Sequence, residues 1–415
     1  MNERQITALL EVTRVLAAES SSDAVLSAIL TRAREIVAAE RSTLFLVDGE
    51  TRLLRSHLAL EVNGQVITLS VGQGLAGHVA ATGEIVNLAD AYADPRFDRS
   101  VDQQLGYHTR TVLTVPMRER GGTITGVLQA LNKETGGFTK EDEEVLVTLA
   151  SAASIALENA RHYEESRQRE RVKRDLEIAH AIQMSLLPTK LPLTNAVEFA
   201  ASCKPALAVG GDFYDFSEIE NGRTLAVVGD VSGKGVSAGL IMGMVRTALR
   251  TEAYRAQSLA ELFSYCNRVL FDDLAQINMF ATGFTVAVDR GGTTLYYASA
   301  GHCQALLYRR RTGDVELLDT EGLPLGILPD ATYEERRTTL ESGDTVTLYS
   351  DGFTEAVGPG QPSARYGLNA LVAAVRRHGH LPAEDLRQAL VEEVTRFSAG
   401  IPQSDDQTIV IMKVR

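Results

Sequence analysis

The sequence has few cysteines: Cys203, Cys266 and Cys303 are the three in 415 residues, far apart and outside any CxxC pair. An odd, scattered set does not suit a disulfide or zinc framework, and it reads as buried thiols in a reducing cytoplasm. Long hydrophobic runs are missing too. No apolar stretch approaches the roughly 18 residues that a membrane span needs. Met1-Asn2-Glu3-Arg4-Gln5 has no basic segment leading into an apolar one, so a secretory signal is not expected. Basic charge is in deficit, with 41 Lys and Arg against 54 Asp and Glu and a formal net charge of −13. That balance disfavours nonspecific binding to nucleic acid or to an anionic membrane. What remains is an ordinary globular composition, 44% hydrophobic and 23% charged. At roughly 150 residues per domain, the length suggests two to three domains.

Residues 1–160 open with two helical patterns, Ile6, Leu9, Leu10, Val12, Leu16 and then Val25, Leu26, Ile29, Leu30, Ala33, Ile36, Val37. Strand-like runs follow at 43–47, 53–60, 66–69, 111–116 and 126–131, separated by turn residues such as Asp48-Gly49 and Gly121-Gly122. This predicts an α+β domain with a mostly antiparallel sheet. From about Glu141 to about Leu187 the pattern is helical, and residues 151–183 contain neither Gly nor Pro. Leu149, Ala152, Ala156, Ala160, Tyr163 and then Val172, Leu176, Ala179, Ile182, Leu186 alternate threes and fours, the spacing of a coiled-coil seam, with a break near 166–171. Pro188 and Pro192 end the helix. Beyond it, strands are expected at 224–228, 280–288, 294–299, 305–309, 345–349 and 408–414, and helices at 236–255, 259–275, 368–377 and 382–397. Strands in the middle with helices around them suggest packed sheets with helical layers.

The chemistry is written in where the aspartates fall. Asp212 follows Leu207-Ala208-Val209-Gly210-Gly211, Asp230 follows Leu225-Ala226-Val227-Val228-Gly229, and Asp351 follows Val346-Thr347-Leu348-Tyr349-Ser350. Asp405 and Asp406 precede Thr408-Ile409-Val410-Ile411-Met412. Acids at the ends of apolar strands converge on one edge if the strands run antiparallel. Carboxylates gathered without basic partners repel one another, so a cation is expected among them. An oxygen-only, His-poor set suits Mg²⁺ or Mn²⁺ over zinc, and two such ions about 3.5–4 Å apart would activate a water and clamp a phosphoryl group. Singly, each Asp also suits a turn or a helix cap.

Several segments, in one order, resemble the PPM (protein phosphatase 2C) superfamily, and most of all its bacterial SpoIIE- or RsbU-type branch. They are Val209-Gly210-Gly211-Asp212-Phe213-Tyr214-Asp215, Gly229-Asp230-Val231-Ser232-Gly233-Lys234-Gly235-Val236, Ala300-Gly301-His302, Gly322-Leu323-Pro324-Leu325-Gly326, Leu348-Tyr349-Ser350-Asp351-Gly352-Phe353-Thr354-Glu355 and Ser404-Asp405-Asp406-Gln407-Thr408. The resemblance covers about residues 172–415, including the lead-in Glu177-Ile178-Ala179-His180-Ala181-Ile182-Gln183-Met184-Ser185-Leu186-Leu187-Pro188. It implies an αββα sandwich of two antiparallel sheets and two ions, Mn²⁺ or Mg²⁺. The implied ligands are Asp230, shared by both ions, the carbonyl of Val231, and Asp212, Asp351 and Asp405, with Asp406 a lesser candidate. No side chain acts as nucleophile; a metal-activated water does. The phosphate-binding arginine of eukaryotic members has no obvious counterpart. His302 reads as a structural hydrogen-bonding residue. Gly210-Gly211-Asp212-Phe213 lacks the Glu of the diguanylate cyclase GGDEF motif. Gly233-Lys234-Gly235 lacks the residues of a P-loop, and its glycines instead let the chain turn around Asp230.

Residues of about 3–158 resemble a GAF domain through Gly72-Gln73-Gly74-Leu75-Ala76-Gly77, Thr82-Gly83-Glu84, Asn87-Leu88-Ala89-Asp90, Asp94-Pro95-Arg96-Phe97, Val115-Pro116 and Leu131-Asn132-Lys133. Asn132, Lys133, Phe138, Asp142 and Glu143 match the NKFDE pattern of cyclic-nucleotide-binding members. A Lys133–Asp142 ion pair tying the last strand to the exit helix accounts for that spacing without a ligand, and the sequence does not name the GAF ligand.

The expected architecture is therefore α+β with two domains: a GAF sensor at 1–158, a coiled-coil signalling helix at 150–190 and a PPM-type domain at 190–415. The expected function is a cytoplasmic, GAF-regulated serine/threonine protein phosphatase, homodimeric through its central helix. By resemblance, its substrate is a phosphorylated STAS-type anti-sigma-factor antagonist in a partner-switching pathway. The rivals are a catalytically weak dimeric ligand-sensing scaffold and a nucleotide-processing enzyme such as a cyclase.

Overall fold

A computed structural model describes residues 21–58, 66–119, 121–219, 222–359 and 364–415; the helical pattern from Ile6 to Leu16 lies outside them. The chain divides into two units, Met1–Arg171 and Val172–Arg415.

In the first unit, helix α1 (Ser22–Ile36) starts where the Ser21 side chain accepts a hydrogen bond from the Ala24 N–H, and it buries Val25, Leu26, Ile29, Leu30 and Ala33 along one face. Six strands follow: β1 (Ala39–Val47), β2 (Leu53–Leu58), β3 (Thr68–Ser70), β4 (Val86–Leu88), β5 (Val112–Arg118) and β6 (Ile124–Lys133). They form one antiparallel sheet in the order β3-β2-β1-β6-β5-β4. Successive side chains point to opposite faces. Leu44 and Leu128 pack with α1 on one side, while Phe45 and Val127 meet helix α2 (Gly74–Thr82) on the other. Helix α2 and the short α3 (Arg99–Leu105) were not expected from the sequence. The α2 residues Gly74-Leu75-Ala76-Gly77-His78-Val79-Ala80-Ala81-Thr82 carry too little polar–apolar contrast to show a helical period.

Helix α4 (Lys140–Leu186) runs without interruption through 166–171. The expected seam divides in its use. Leu149, Ala156 and Ala160 are buried in the first unit's own core beside α1, so they are not a free coiled-coil face. Tyr163, Val172, Ile182 and Leu186 are exposed. Between these regions the helix is polar all round and carries the i,i+4 pairs Arg161–Glu165 and Glu165–Arg169, each contributing about 0.2–0.5 kcal/mol to an isolated helix.

The second unit stacks two five-stranded antiparallel sheets. One comprises β8 (Phe213–Glu218), β9 (Thr224–Val231), β10 (Ala281–Val288), β11 (Thr294–Ala300) and β14 (Arg336–Thr339), ordered β14-β11-β10-β9-β8. The other comprises β7 (Val197–Lys204), β12 (Ala305–Tyr308), β13 (Val315–Leu318), β15 (Thr345–Tyr349) and β16 (Gln407–Val414), ordered β13-β12-β15-β16-β7. Helices α5 (Val236–Ala253) and α6 (Leu259–Gln276) cover the first sheet; α8 (Gly367–His378) and α9 (Ala383–Ser398) cover the second, with the one-turn helix α7 (Asp351–Thr354) between β15 and α8. Strand β16 shows why its sequence is apolar at nearly every position. Ile409 and Ile411 face α8 and α9, whereas Val410, Met412 and Val414 face the opposite sheet. Strands β7, β8, β13 and β14 were not expected; segments such as Arg336-Arg337-Thr338-Thr339 become strands through pairing with a neighbour. Replacing the fully buried Ile411 by Ala should cost about 2–5 kcal/mol, read as a lower denaturant midpoint for the second unit.

Candidate metal centre

The acids come from both sheets, a correction to the single edge expected from the sequence. Asp230 is the penultimate residue of β9, opposite Thr282 of β10. Asp212 lies just before β8, which pairs with β9, so it enters a strand; Leu207–Gly211 is not itself a strand. Asp351 opens α7 directly after β15. Asp405 precedes β16, the strand beside β15. Antiparallel pairing within each sheet, and stacking of the two, bring these ends together.

Side chains lock the sheets to each other there. The Ser350 hydroxyl, at the end of β15, donates to Asp212 Oδ2 at 2.6 Å and accepts from the Thr408 N–H of β16 at 3.0 Å. Asp406 is buried, and its carboxylate accepts from the N–H groups of Ala206 (2.7 Å), Gly211 (2.7 Å) and Asp212 (3.3 Å). With both oxygens engaged by the backbone, Asp406 acts as a clamp on the segment leading to Asp212. Asp215 is also buried, paired to Arg246 at 3.0 Å and Arg250 at 3.1 Å, which ties β8 to α5.

The electrostatics follow from this crowding. Burial, and then the charge of Asp230, push the Asp212 carboxyl well above its ordinary range. Burial, followed by the charges of Asp351, Asp405 and Asp406, pushes Asp230 up to about 7. Asp351 is raised by burial and by Asp405 and Glu355. Lys234 faces the group, its Nζ 3.0 Å from Asp405 Oδ2 and 2.7 Å from the Ser404 carbonyl. Among the described residues, no three His, Cys, Asp or Glu side chains already stand as a coordination group. The surroundings nevertheless fit a hard cation. A Cβ on Gly211 would fall 2.5 Å from the Val231 carbonyl oxygen and 3.2 Å from Asp230 Oδ1, so the missing side chain leaves a cradle walled by two oxygens. The donor set is carboxylate and carbonyl only, the chemistry that suits Mg²⁺ or Mn²⁺.

The remaining motif residues have identifiable places. His302 donates through Nε2 to the Tyr349 carbonyl at 3.1 Å, which leaves Nδ1 to accept from the Thr282 hydroxyl at 2.7 Å. Burial holds its pKa down at about 4, so the ring is a neutral brace between β10 and β15. Gly233 and Gly235 have φ of +95° and +77°, and they turn the chain from Asp230 into α5. Sequence reasoning passed over Ser350, the Lys234 contact and Gln183, a buried glutamine on α4 that hydrogen-bonds Gly210. Only the motif context of these residues could have flagged them.

The family model for Stage II sporulation protein E (SpoIIE) matches residues 220–415, and that for the GAF domain matches residues 21–157. The chain carries a SpoIIE-type PPM phosphatase domain behind a GAF domain. Phosphoserine phosphatase RsbU of Bacillus subtilis (strain 168) is 28% identical over 242 residues, covering 58% of this chain and 70% of that protein. The SiaA-PP2C domain of Pseudomonas aeruginosa superposes with a TM-score of 0.52 at 25% identity, covering 60% of this chain and 98% of that one. A probable 3',5'-cyclic phosphodiesterase, pde-5 of Caenorhabditis elegans, is 36% identical over 162 residues, 36% of this chain; the chain spans only 22% of that protein's length.

In the GAF domain Lys133, Phe138, Asp142 and Glu143 are linked through one set of contacts, and the Asn132 side chain joins a different one. Lys133 Nζ sits 2.6 Å from Asp142 Oδ2 and 3.1 Å from the Val37 carbonyl, and 5.7 Å from the centre of the Phe138 ring. Asn87 Nδ2 donates to the Phe138 carbonyl and to Glu143 Oε1. Asn132 adopts φ of +55° and donates to Glu40, Tyr107 and the His108 carbonyl. Each of these contacts is internal to the domain. A cavity of about 100 Å³ adjoins the Asn132 partners Glu40 and Tyr107 and is lined also by Arg41, Thr43, Phe45 and Leu75. Asp142→Asn should strand a nearly buried Lys133 charge and cost about 3–5 kcal/mol, measured as a lower melting temperature of the GAF domain transition.

Proposed function

We propose that this chain is a protein serine/threonine phosphatase dependent on two divalent ions, Mn²⁺ or Mg²⁺, and regulated by its GAF domain. The observation that carries the reading is the meeting of Asp212, Asp230, Asp351 and Asp405 at the common end of two sheets, where burial and mutual charge oppose the ionisation of Asp212, Asp230 and Asp351. The RsbU relative, named a phosphoserine phosphatase, supports the substrate class. The substrate we infer is a phosphoserine or phosphothreonine on a STAS-type anti-sigma-factor antagonist in a partner-switching pathway.

When bound, the ions supply charge neutralisation and an activated water for in-line attack on phosphorus. Asp230 would be shared by both ions, the Val231 carbonyl would be a further ligand, Asp212 and Asp351 would each hold one side, and Asp405 would complete the site. Ser350 and Asp406 keep Asp212 in place. Lys234 stands at the rim, half exposed beside Asp405, where its ammonium can meet an incoming phosphate. No side chain is placed here as a nucleophile. The alternative reading, a catalytically weak ligand-sensing scaffold, predicts no metal-dependent turnover of an aryl phosphate.

Under this proposal, Asp230→Asn removes nearly all Mn²⁺-dependent hydrolysis, because one lost charge weakens both ions together. Asp405→Asn loses less, and excess metal restores part of it. Normal turnover by Asp230→Asn in chelator-treated buffer would sink the two-ion assignment.

We also propose a parallel homodimer through α4. The exposed apolar residues Val172, Ile182 and Leu186 supply its seam, downstream of the turns that the GAF domain's own core occupies. The full chain should sediment as a dimer at tens of micromolar, and Ile182→Glu should shift it to monomer. A wild-type monomer under those conditions counts against the seam.

A further inference from the structure

We propose that Gln183 is a positioning residue that sets the location of Asp212 by gripping the backbone of Gly210. Gln183 lies near the end of α4, is 5% exposed, and uses both ends of its amide on one residue. Nε2 donates to the Gly210 carbonyl at 2.6 Å, and Oε1 accepts from the Gly210 N–H at 3.0 Å. One turn earlier on the same helix, His180 Nδ1 donates to the Ala208 carbonyl at 2.7 Å. The segment from Ala208 to Gly210 forms no strand, so these side chains do for it what a ladder partner would do.

The pairing is chemically selective. A side-chain amide can donate to a C=O and accept from an N–H of the same residue, whereas a carboxylate can only accept and an alkyl group can do neither. Gly210 N–H and C=O are buried, and losing both partners leaves two unsatisfied groups. The surroundings leave little room for slack. A Cβ on Gly239 of α5 would fall 2.2 Å from Val209 and 3.4 Å from Gln183 Nε2, and a Cβ on Gly210 would fall 2.1 Å from Asp406 Oδ2. The approach to Asp212 is therefore gripped from one side by Gln183 and from the other by Asp406, whose carboxylate binds the next two N–H groups in line. Any displacement of the last turns of α4 carries Gly210 with it, two residues from Asp212.

This inference rests on the metal-centre reading, and two readouts on the full chain separate their fates. The first is hydrogen–deuterium exchange of the 206–215 segment in metal-free protein. The second is the Kd for Mn²⁺, measured by electron paramagnetic resonance of the free ion. Gln183→Ala should speed exchange in 206–215 while leaving β15 and β16 protected, and should weaken Mn²⁺ binding about tenfold or more, as lost supporting hydrogen bonds do at metal sites. Gln183→Glu, which fills the same volume but cannot donate to the Gly210 carbonyl, should do the same and serves if the alanine variant fails to fold. Leu187→Ala, which removes a buried apolar contact near the end of the same helix, should lower the melting temperature yet leave the Mn²⁺ Kd within about twofold. Unchanged exchange at 206–215 in both Gln183 variants overturns the clamp alone. Equal loss of Mn²⁺ affinity in Leu187→Ala reduces Gln183 to general packing and also overturns it. A wild-type chain that binds neither Mn²⁺ nor Mg²⁺ overturns the metal-centre reading, whatever exchange shows.

Discussion

Carboxylates brought close together out of water repel, and the architecture of the second unit can be understood as the means of holding them there. Neither sheet does it alone. Asp212 and Asp230 stand at strand ends of one, Asp351 and Asp405 at strand ends of the other, so their separation is set by how the two sheets stack. That stacking is pinned at the site by Ser350 to Asp212 and Asp406 to Gly211, hydrogen bonds from one sheet's strand ends to the other's. The strain is electrostatic and local; the restraint is the hydrophobic core between the sheets. Under the metal-centre proposal, a bound divalent ion would turn that repulsion into coordination, so the same residues would oppose folding without it and favour folding with it.

Most of the strands and helices were legible because their signals are local. The run Thr345-Val346-Thr347-Leu348-Tyr349 reads as a strand and is one, and the four long helices of the second unit fall within a few residues of their periodic patterns. The acids were legible as a set because each stands beside a small residue next to an apolar run. Their distribution over two sheets was not, since strand order is a tertiary property that alternation along the chain does not encode. Asp406 shows the same limit at one residue. Next to Asp405 it reads as a lesser candidate ligand, and its role as a structural clamp, set by three backbone N–H groups from a segment some 200 residues away, is not visible in the sequence. Gln183 carries no sequence signal beyond its motif, because a glutamine on a polar helix ordinarily faces solvent.

The first unit gives the complementary case. Its ion pair between Lys133 and Asp142 is expected from the spacing of the motif, with strand β6 ending at Lys133 and helix α4 starting at Lys140. The helix itself reads as continuous from about 141 to 187, with a seam broken near 166–171. It is one unbroken helix whose apolar positions serve two employers: the alanines at 156 and 160 fit against a sheet-and-helix core, and the bulkier residues beyond 163 stay at the surface. Residue size marks the change, because small side chains let a helix lie close to its neighbours and large ones project from it.

Strand β16 lies between β15 and β7, and its partner Lys204 is about 200 residues earlier than Gln407. The second sheet therefore cannot be completed until nearly all of the intervening chain has been made. Asp405 arrives with β16, and Asp406, which fastens the approach to Asp212, arrives with it. A nascent chain that already displays Asp212, Asp230 and Asp351 has its acids without the strand that aligns them. The order of synthesis thus brings the strand next to Asp405 and Asp406 last among the segments that meet at this end of the two sheets.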